Sequence, residues 1–180
     1  MKIKIIKDTN PIMRKRSLPV TLPLSDEDRD ILDSMLDHLK KSQDPEYSKK
    51  HNIRPGVGIA AIQIGLLKRM FCVYVEFEDE IVQYQLVNPK IIESSIKKAA
   101  LNGGEGCLSV PNEHKGLVHR NYKIKMKAFD ALTNEEVVIT ATGYLAIVLQ
   151  HECDHLDGKF YYDHINAQNP YSPLPGEEII

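Results

Sequence analysis

Gln150-His151-Glu152-Cys153-Asp154-His155-Leu156-Asp157-Gly158 carries the pattern His-Glu-x-x-His. On a helix this spacing puts His151 and His155 on one face a turn apart, where both imidazoles can reach one metal ion. Neutral imidazole is a common ligand because it donates without adding charge. A free carboxylate beside the ion, here Glu152, can take a proton from a water molecule. A surface helix that happens to carry two histidines and some acids would show the same letters, so the neighbouring residues decide.

Ahead of the motif, Gly143-Tyr144-Leu145-Ala146-Ile147-Val148-Leu149 is apolar enough for a buried helix, and Gly158 stands where a helix usually stops. Tyr144, Ile147 and Val148 share the face of His151 and His155, which sinks the site into an apolar pocket. Ile147 and Val148 can be plain core and pocket wall together.

Working outward, Lys2–Ile6 reads as a short strand, and Arg14-Lys15-Arg16 as a solvated basic run. Ser25 with Asp28 three residues on forms a helix start. Ile31, Leu32, Met35, Leu36 and Leu39 then mark one face of an amphipathic helix of about 16 residues. Residues 43–54 are polar, contain Pro45 and read as an exposed connection. Gly56–Gly65 is rich in small residues that let another backbone approach, yet lacks the Gly-Lys-Ser/Thr of a phosphate loop and the third glycine of a dinucleotide fingerprint. Gln63 is its one polar side chain, and its amide needs partners in the core or on a substrate.

Residues 69–77 and 81–87, split by Glu78-Asp79-Glu80, read as a hairpin, with a further strand at 89–98. Residues 122–129 alternate as a strand with one wet face, and 136–141 can pair with it across Thr133-Asn134. The expected architecture is a single α+β domain over residues 1–180: mostly antiparallel strands packed around a central metal-binding helix, with an N-terminal amphipathic helix. The tail, 166–180, holds Pro170, Pro173 and Pro175 and is expected to be extended and poorly anchored.

A chain of 180 residues with a formal net charge of -2 can bury a sizeable core and shows no excess of basic charge for a polyanion partner. The N-terminal residues contain no long apolar run, so neither signal peptide nor membrane span is expected. Three cysteines, Cys72, Cys107 and Cys153, without framework spacing fit reduced thiols in the cytoplasm.

Two histidines do not close a metal site. A third ligand at the end of His-Glu-x-x-His-x-x-Gly-x-x-His would be residue 161, which is tyrosine. A downstream glutamate would be Glu177 or Glu178, in the proline-rich tail. The remaining candidate is Cys107 in Gly103-Gly104-Glu105-Gly106-Cys107-Leu108-Ser109, where flanking glycines expose the sulfur and free backbone N–H groups. A cysteine can equally be a small buried hydrophobe.

Gly56-Val57-Gly58-Ile59-Ala60-Ala61-Ile62-Gln63, Glu105-Gly106-Cys107-Leu108-Ser109 and Gln150-His151-Glu152-Cys153-Asp154-His155 resemble, in order and spacing, the three motifs of the peptide deformylases. The resemblance runs from Asn10-Pro11 to about Asp163. The polar insertion before Gly56 and the non-helical tail are similar to the second bacterial class of that family. Ile62 stands where many members have proline, and Val110-Pro111-Asn112-Glu113-His114-Lys115 also departs from the pattern.

The resemblance implies removal of the formyl group from N-formyl-methionyl nascent peptides, with release of formate. It implies one divalent metal ion, ferrous iron natively with zinc, nickel or cobalt as substitutes, on Cys107, His151 and His155. Glu152 is the implied general base toward a water activated by the metal. The Leu108 backbone N–H and the Gln63 amide would hold the oxygen as it gains charge, each such donor contributing about 3 kcal/mol. By the same resemblance, Val57, Gly58 and Gly106 pair with the peptide as an added strand, while Val57, Tyr144, Ile147 and Val148 line a methionine pocket.

Glu105 and Asp154 are expected to orient ligands or pair with a cation such as Arg120. His38, His51, His114, His119 and His164 lack ligand spacing and read as surface or structural. The implied setting is a cytoplasmic monomer that meets its substrate near the ribosomal exit tunnel, with no DNA or membrane contact. A metallopeptidase and a non-catalytic metal-bound peptide- or ribosome-binding module are the alternatives. Glu152 argues against the second, since a structural site has no use for a free carboxylate.

Overall fold

The computed structural model describes residues 1–180. Along β2 (Met70–Glu76) side chains alternate between two buried faces: Met70 and Cys72 join one apolar cluster, while Phe71, Val73 and Val75 join another. A strand buried on both sides belongs inside a sheet covered on each face. Its neighbours are β1 (Gly58–Ala60) and β3 (Ile81–Ser94), and the antiparallel sheet continues through β6 (Lys123–Asp130) and β7 (Glu135–Thr142). A smaller sheet joins β4 (Lys98–Ala100), β5 (Arg120–Asn121) and β8 (Glu178–Ile179).

One face of the large sheet is covered by α1 (Asp26–Gln43), whose Ile31, Leu32, Met35, Leu36 and Leu39 pack with Ile59, Met70, Cys72 and Val87. Ser25 caps it by accepting the Asp28 N–H at 3.1 Å, and three acids in the first turn complement the helix dipole. The opposite face holds α3 (Gly143–Leu156), where Ala146, Val148, Leu149 and Leu156 meet Phe71, Val73, Leu86 and Met126. The α+β architecture is the expected one, with α3 the helix of the His-Glu-x-x-His pattern.

Four local expectations need correction. Residues 2–6 form no strand: Ile6 N–H reaches Gln63 O at 2.8 Å, but Gln63 lies in a 3₁₀ turn (Ala61–Ile64) that offers no ladder edge. The polar connection instead contains α2 (Pro45–His51), capped by the Asp44 carboxylate with Pro45 in the first turn. The strand expected to begin at Pro89 is continuous with the hairpin strand as β3. Asn88, at φ 51°, bulges there, and its side chain forms paired bonds of 2.8 Å with the Val20 backbone. A bulge tolerates Pro89, which has no N–H for the ladder.

The tail, finally, is extended but anchored. β8 runs parallel to β4, Ile180 N–H donates to Ala100 O at 2.9 Å, and Asn102 N–H donates to Ile180 O at 2.7 Å. The basic run is solvated as expected, with Arg14, Lys15 and Arg16 all exposed, and from it the Arg14 guanidinium lies 4.4 Å from the centre of the Phe160 ring and pairs with Asp163.

Candidate active site

Two segments bring the candidate ligands together above the sheet. α3 presents His151, Glu152 and His155 from consecutive turns, with the two imidazole centroids 4.9 Å apart. The loop between β4 and β5 brings Cys107, whose Sγ lies 3.3 Å from His155 Nε2. One potential ligand atom from each of Cys107, His151 and His155 lies within 4.8 Å of the others.

A second layer orients these groups. His151 Nδ1 is 2.8 Å from Glu105 Oε1, which leaves Nε2 to face the site. Glu105 is gripped by Arg120 through Nε at 2.6 Å and Nη2 at 2.9 Å, while Arg120 Nη1 donates to Asp154 at 2.9 Å. Asp154 in turn lies 2.7 Å from His164 Nε2. Burial alone would disfavour ionised Asp154, yet His164 and Arg120 hold its carboxyl down at about 2. Burial likewise opposes Glu105 ionisation, and His151 with Arg120 still keep it below the usual range. His155 is pushed well below the usual histidine range by burial and by nearby His151, so it presents the neutral ring a metal needs.

The donor set fits a metal ion. A thiol and two imidazoles converge, as suits the borderline divalent transition metals rather than magnesium or calcium. Two buried polar atoms beside them, Glu152 Oε2 and His155 Nδ1, have no partner in the protein. An unmet buried polar atom costs about 1–3 kcal/mol, so Glu152 Oε2, on a residue that lines the cavity, is placed to receive a polar guest, whereas His155 Nδ1 sits on the ring edge away from the Nε2 that meets Cys107. Burial pushes the Glu152 carboxyl up to about 7, against the pull of His151 and Arg120.

A cavity of about 530 Å³ opens onto these groups. Val57, Gly58, Gln63, Gly106, Cys107, Leu108, Tyr144, Ile147, Val148, His151 and Glu152 all line it, and His155 is buried behind them. Gln63 Oε1 accepts the Ala60 N–H at 2.8 Å, which fixes its amide orientation. Its Nε2 then donates to Ser109 Oγ at 3.1 Å and faces Cys107 Sγ at 3.6 Å. The Leu108 N–H has no acceptor within the chain.

The other third-ligand candidates are committed elsewhere. The Tyr161 hydroxyl accepts the His114 N–H at 3.2 Å, Glu177 lies 2.7 Å from His119 Nδ1, and Glu178 pairs with Lys97.

Residues 2–171 match the family model described as polypeptide deformylase. The chain belongs to this family. It is a metal-dependent hydrolase that removes N-formyl groups from nascent polypeptides. The peptide deformylase of Shouchella clausii is 45% identical over 96% of this chain and 95% of its own length. Peptide deformylase 2 of Bacillus cereus is 45% identical over 93% and 91%. Among solved structures, a probable peptide deformylase from Synechococcus phage S-SSM7 aligns with TM-score 0.75 at 30% identity, covering 91% of this chain and all (100%) of that one. Peptide deformylase from Thermotoga maritima gives 0.71 at 29% identity, covering 96% and 99%.

Four further residues line this deformylase cavity without having been singled out from the sequence: Gln43, Arg54, Pro55 and Leu101. Gln43 Nε2 donates to Gly56 O and Tyr74 O, both at 2.9 Å, and so ties α1 to the cavity rim. Only the Arg-Pro-Gly run adjoining the small-residue segment gave a signal, since it fixes Arg54 next to that segment.

Proposed function

We propose that the deformylase activity acts on the formyl-methionyl end of new polypeptides, with Glu152 moving the proton. The observation that carries this reading is the Glu152 carboxylate: it reaches the cavity wall from the same helix as the two histidines, with Oε2 buried and unpartnered.

Cys107, His151 and His155 are the residues that would hold one divalent ion, ferrous iron in the cell with zinc, nickel or cobalt as substitutes. Such an ion supplies Lewis acidity, polarising the formyl oxygen and making water a better acid. Glu152 takes the proton from the attacking water and delivers it to the departing amine. The Leu108 N–H and the Gln63 amide donate to the formyl oxygen as it gains charge. Gln63 Oε1 stays anchored on the Ala60 N–H, and one Nε2 proton turns from its contact with Cys107 Sγ to meet that oxygen.

Val57, Tyr144, Ile147 and Val148 form the apolar wall for methionine. β1 is an edge strand of the large sheet, so Val57 and Gly58, with Gly106 opposite, can take the peptide as an added strand. We place the reaction in the cytoplasm, on a monomer working near the ribosomal exit tunnel. No helix of the chain is long and apolar enough to cross a membrane.

The test supplies formyl-Met-Ala-Ser and its unformylated counterpart to metal-loaded protein. Formate and a free amino terminus are expected from the first peptide and nothing from the second. Cleavage between residues of either peptide would instead mark a peptidase.

A further inference from the structure

Arg54 follows α2 and reaches across the cavity rim to the loop that carries Cys107. Its Nη1 donates to two backbone carbonyls, Cys107 O and Val110 O, each at 3.0 Å. Those carbonyls bracket a turn that is closed from within by Val110 N–H donating to Cys107 O at 3.1 Å. A second contact holds the same turn. A Cβ on Gly56 would lie 2.8 Å from Leu108 Cδ1, so the Leu108 side chain packs directly on the backbone two residues after Arg54. Between these restraints the Leu108 N–H is left without an acceptor inside the chain, at the cavity wall.

We infer that Arg54 is a positioning residue for the reaction, fixing the 107–110 turn so that the Leu108 N–H points at the oxygen that gains charge. The inference rests on the reading of Leu108 as a donor to that oxygen. A backbone N–H contributes in proportion to its alignment, and a turn free to rock loses that alignment at the moment charge develops. One guanidinium nitrogen bound to two carbonyls restrains both ends of the turn. An aliphatic side chain of equal length restrains neither. Arg54 touches only the Cys107 carbonyl, whereas the Cys107 Sγ lies 3.3 Å from His155 Nε2 and 3.6 Å from Gln63 Nε2, so the thiol and the turn are held by different contacts.

The test compares wild type, Arg54→Met and Arg54→Lys for kcat, KM and metal content with formyl-Met-Ala-Ser. Arg54→Met is expected to lower kcat at least about tenfold, part of what loss of a whole oxyanion donor costs. KM should stay within about twofold and metal at wild-type stoichiometry. Arg54→Lys, which retains a charged donor, should recover part of the loss. An unchanged kcat, or a change confined to KM, would overturn the inference, the latter making Arg54 a grip on the peptide. Loss of metal in Arg54→Met would also overturn it, because Arg54 would then support Cys107 rather than aim Leu108. If wild type released no formate, the deformylase reading itself would fall and take the inference with it.

Discussion

Gly58 shows how a single atom sets the site. A Cβ at this position would lie well inside van der Waals contact with Glu152 Oε1 and with the carboxylate carbon behind it, so the carboxylate occupies the space a side chain would need. Gly58→Ala must therefore displace Glu152 while leaving Cys107, His151 and His155 in place. Steady-state kinetics with metal analysis should show kcat/KM down by about a hundredfold, the worth of a positioned proton carrier, with metal retained. The three thiols differ just as sharply. Cys72 is fully buried and pushed well above the usual range by that burial, and Cys153 is pushed up to about 12, again by burial. Cys107 Sγ opens onto the cavity. After chelation, a small alkylating reagent should label Cys107 ahead of the other two, and metal should protect it, as peptide mass spectrometry can read.

At the scale of elements, the sequence spoke clearly wherever one physical rule dominated. α1 carries its apolar stripe and serine cap in plain view, and α3 its apolar run, histidine spacing and terminal glycine. The helix α2 escaped because it buries no residue, so no stripe marks it; only Asp44-Pro45 signals its start. β3 read as two strands because Pro89 suggests a break, and only the tertiary pairing of Asn88 with Val20 turns that break into a bulge. The Arg120–Glu105–His151 chain was half visible as charges near the motifs. Its connectivity depends on β5 lying beside α3, which no local pattern encodes.

The tail misled for the same reason, since prolines forbid helix but say nothing about docking. The Glu177 side chain is fully buried against His119, so Glu177→Ala should lower unfolding free energy by about 1–3 kcal/mol. Denaturant melts can measure this loss, and metal content should not change.

For the whole molecule, the ends of the chain are stitched around α3. Arg14 and Asp163 are 149 residues apart and join through bonds of 2.5 and 3.1 Å, while Gly158 leaves room for the Arg14 carbonyl against its own backbone. Burial works against the Asp163 charge, but the Arg14 bond outweighs it and holds the carboxyl below its usual value. A carboxyl depressed in the folded state adds stability above its unfolded value, and that stability fades as pH falls through the folded value. Part of the acid sensitivity below about pH 4 should therefore disappear in Asp163→Asn. Half-exposed Arg14 makes the effect small and salt-sensitive, so stability curves at low ionic strength are the proper check.

The central claim is that one carboxylate on a helix with two metal-binding histidines carries the proton for deformylation. Glu152→Gln keeps the size of that side chain and removes its basicity, so the direct measurement is formate release from formyl-Met-Ala-Ser by this variant beside metal analysis. The account predicts metal at wild-type stoichiometry with turnover reduced at least about a hundredfold. A variant that holds its metal and releases formate at near wild-type rate would contradict it.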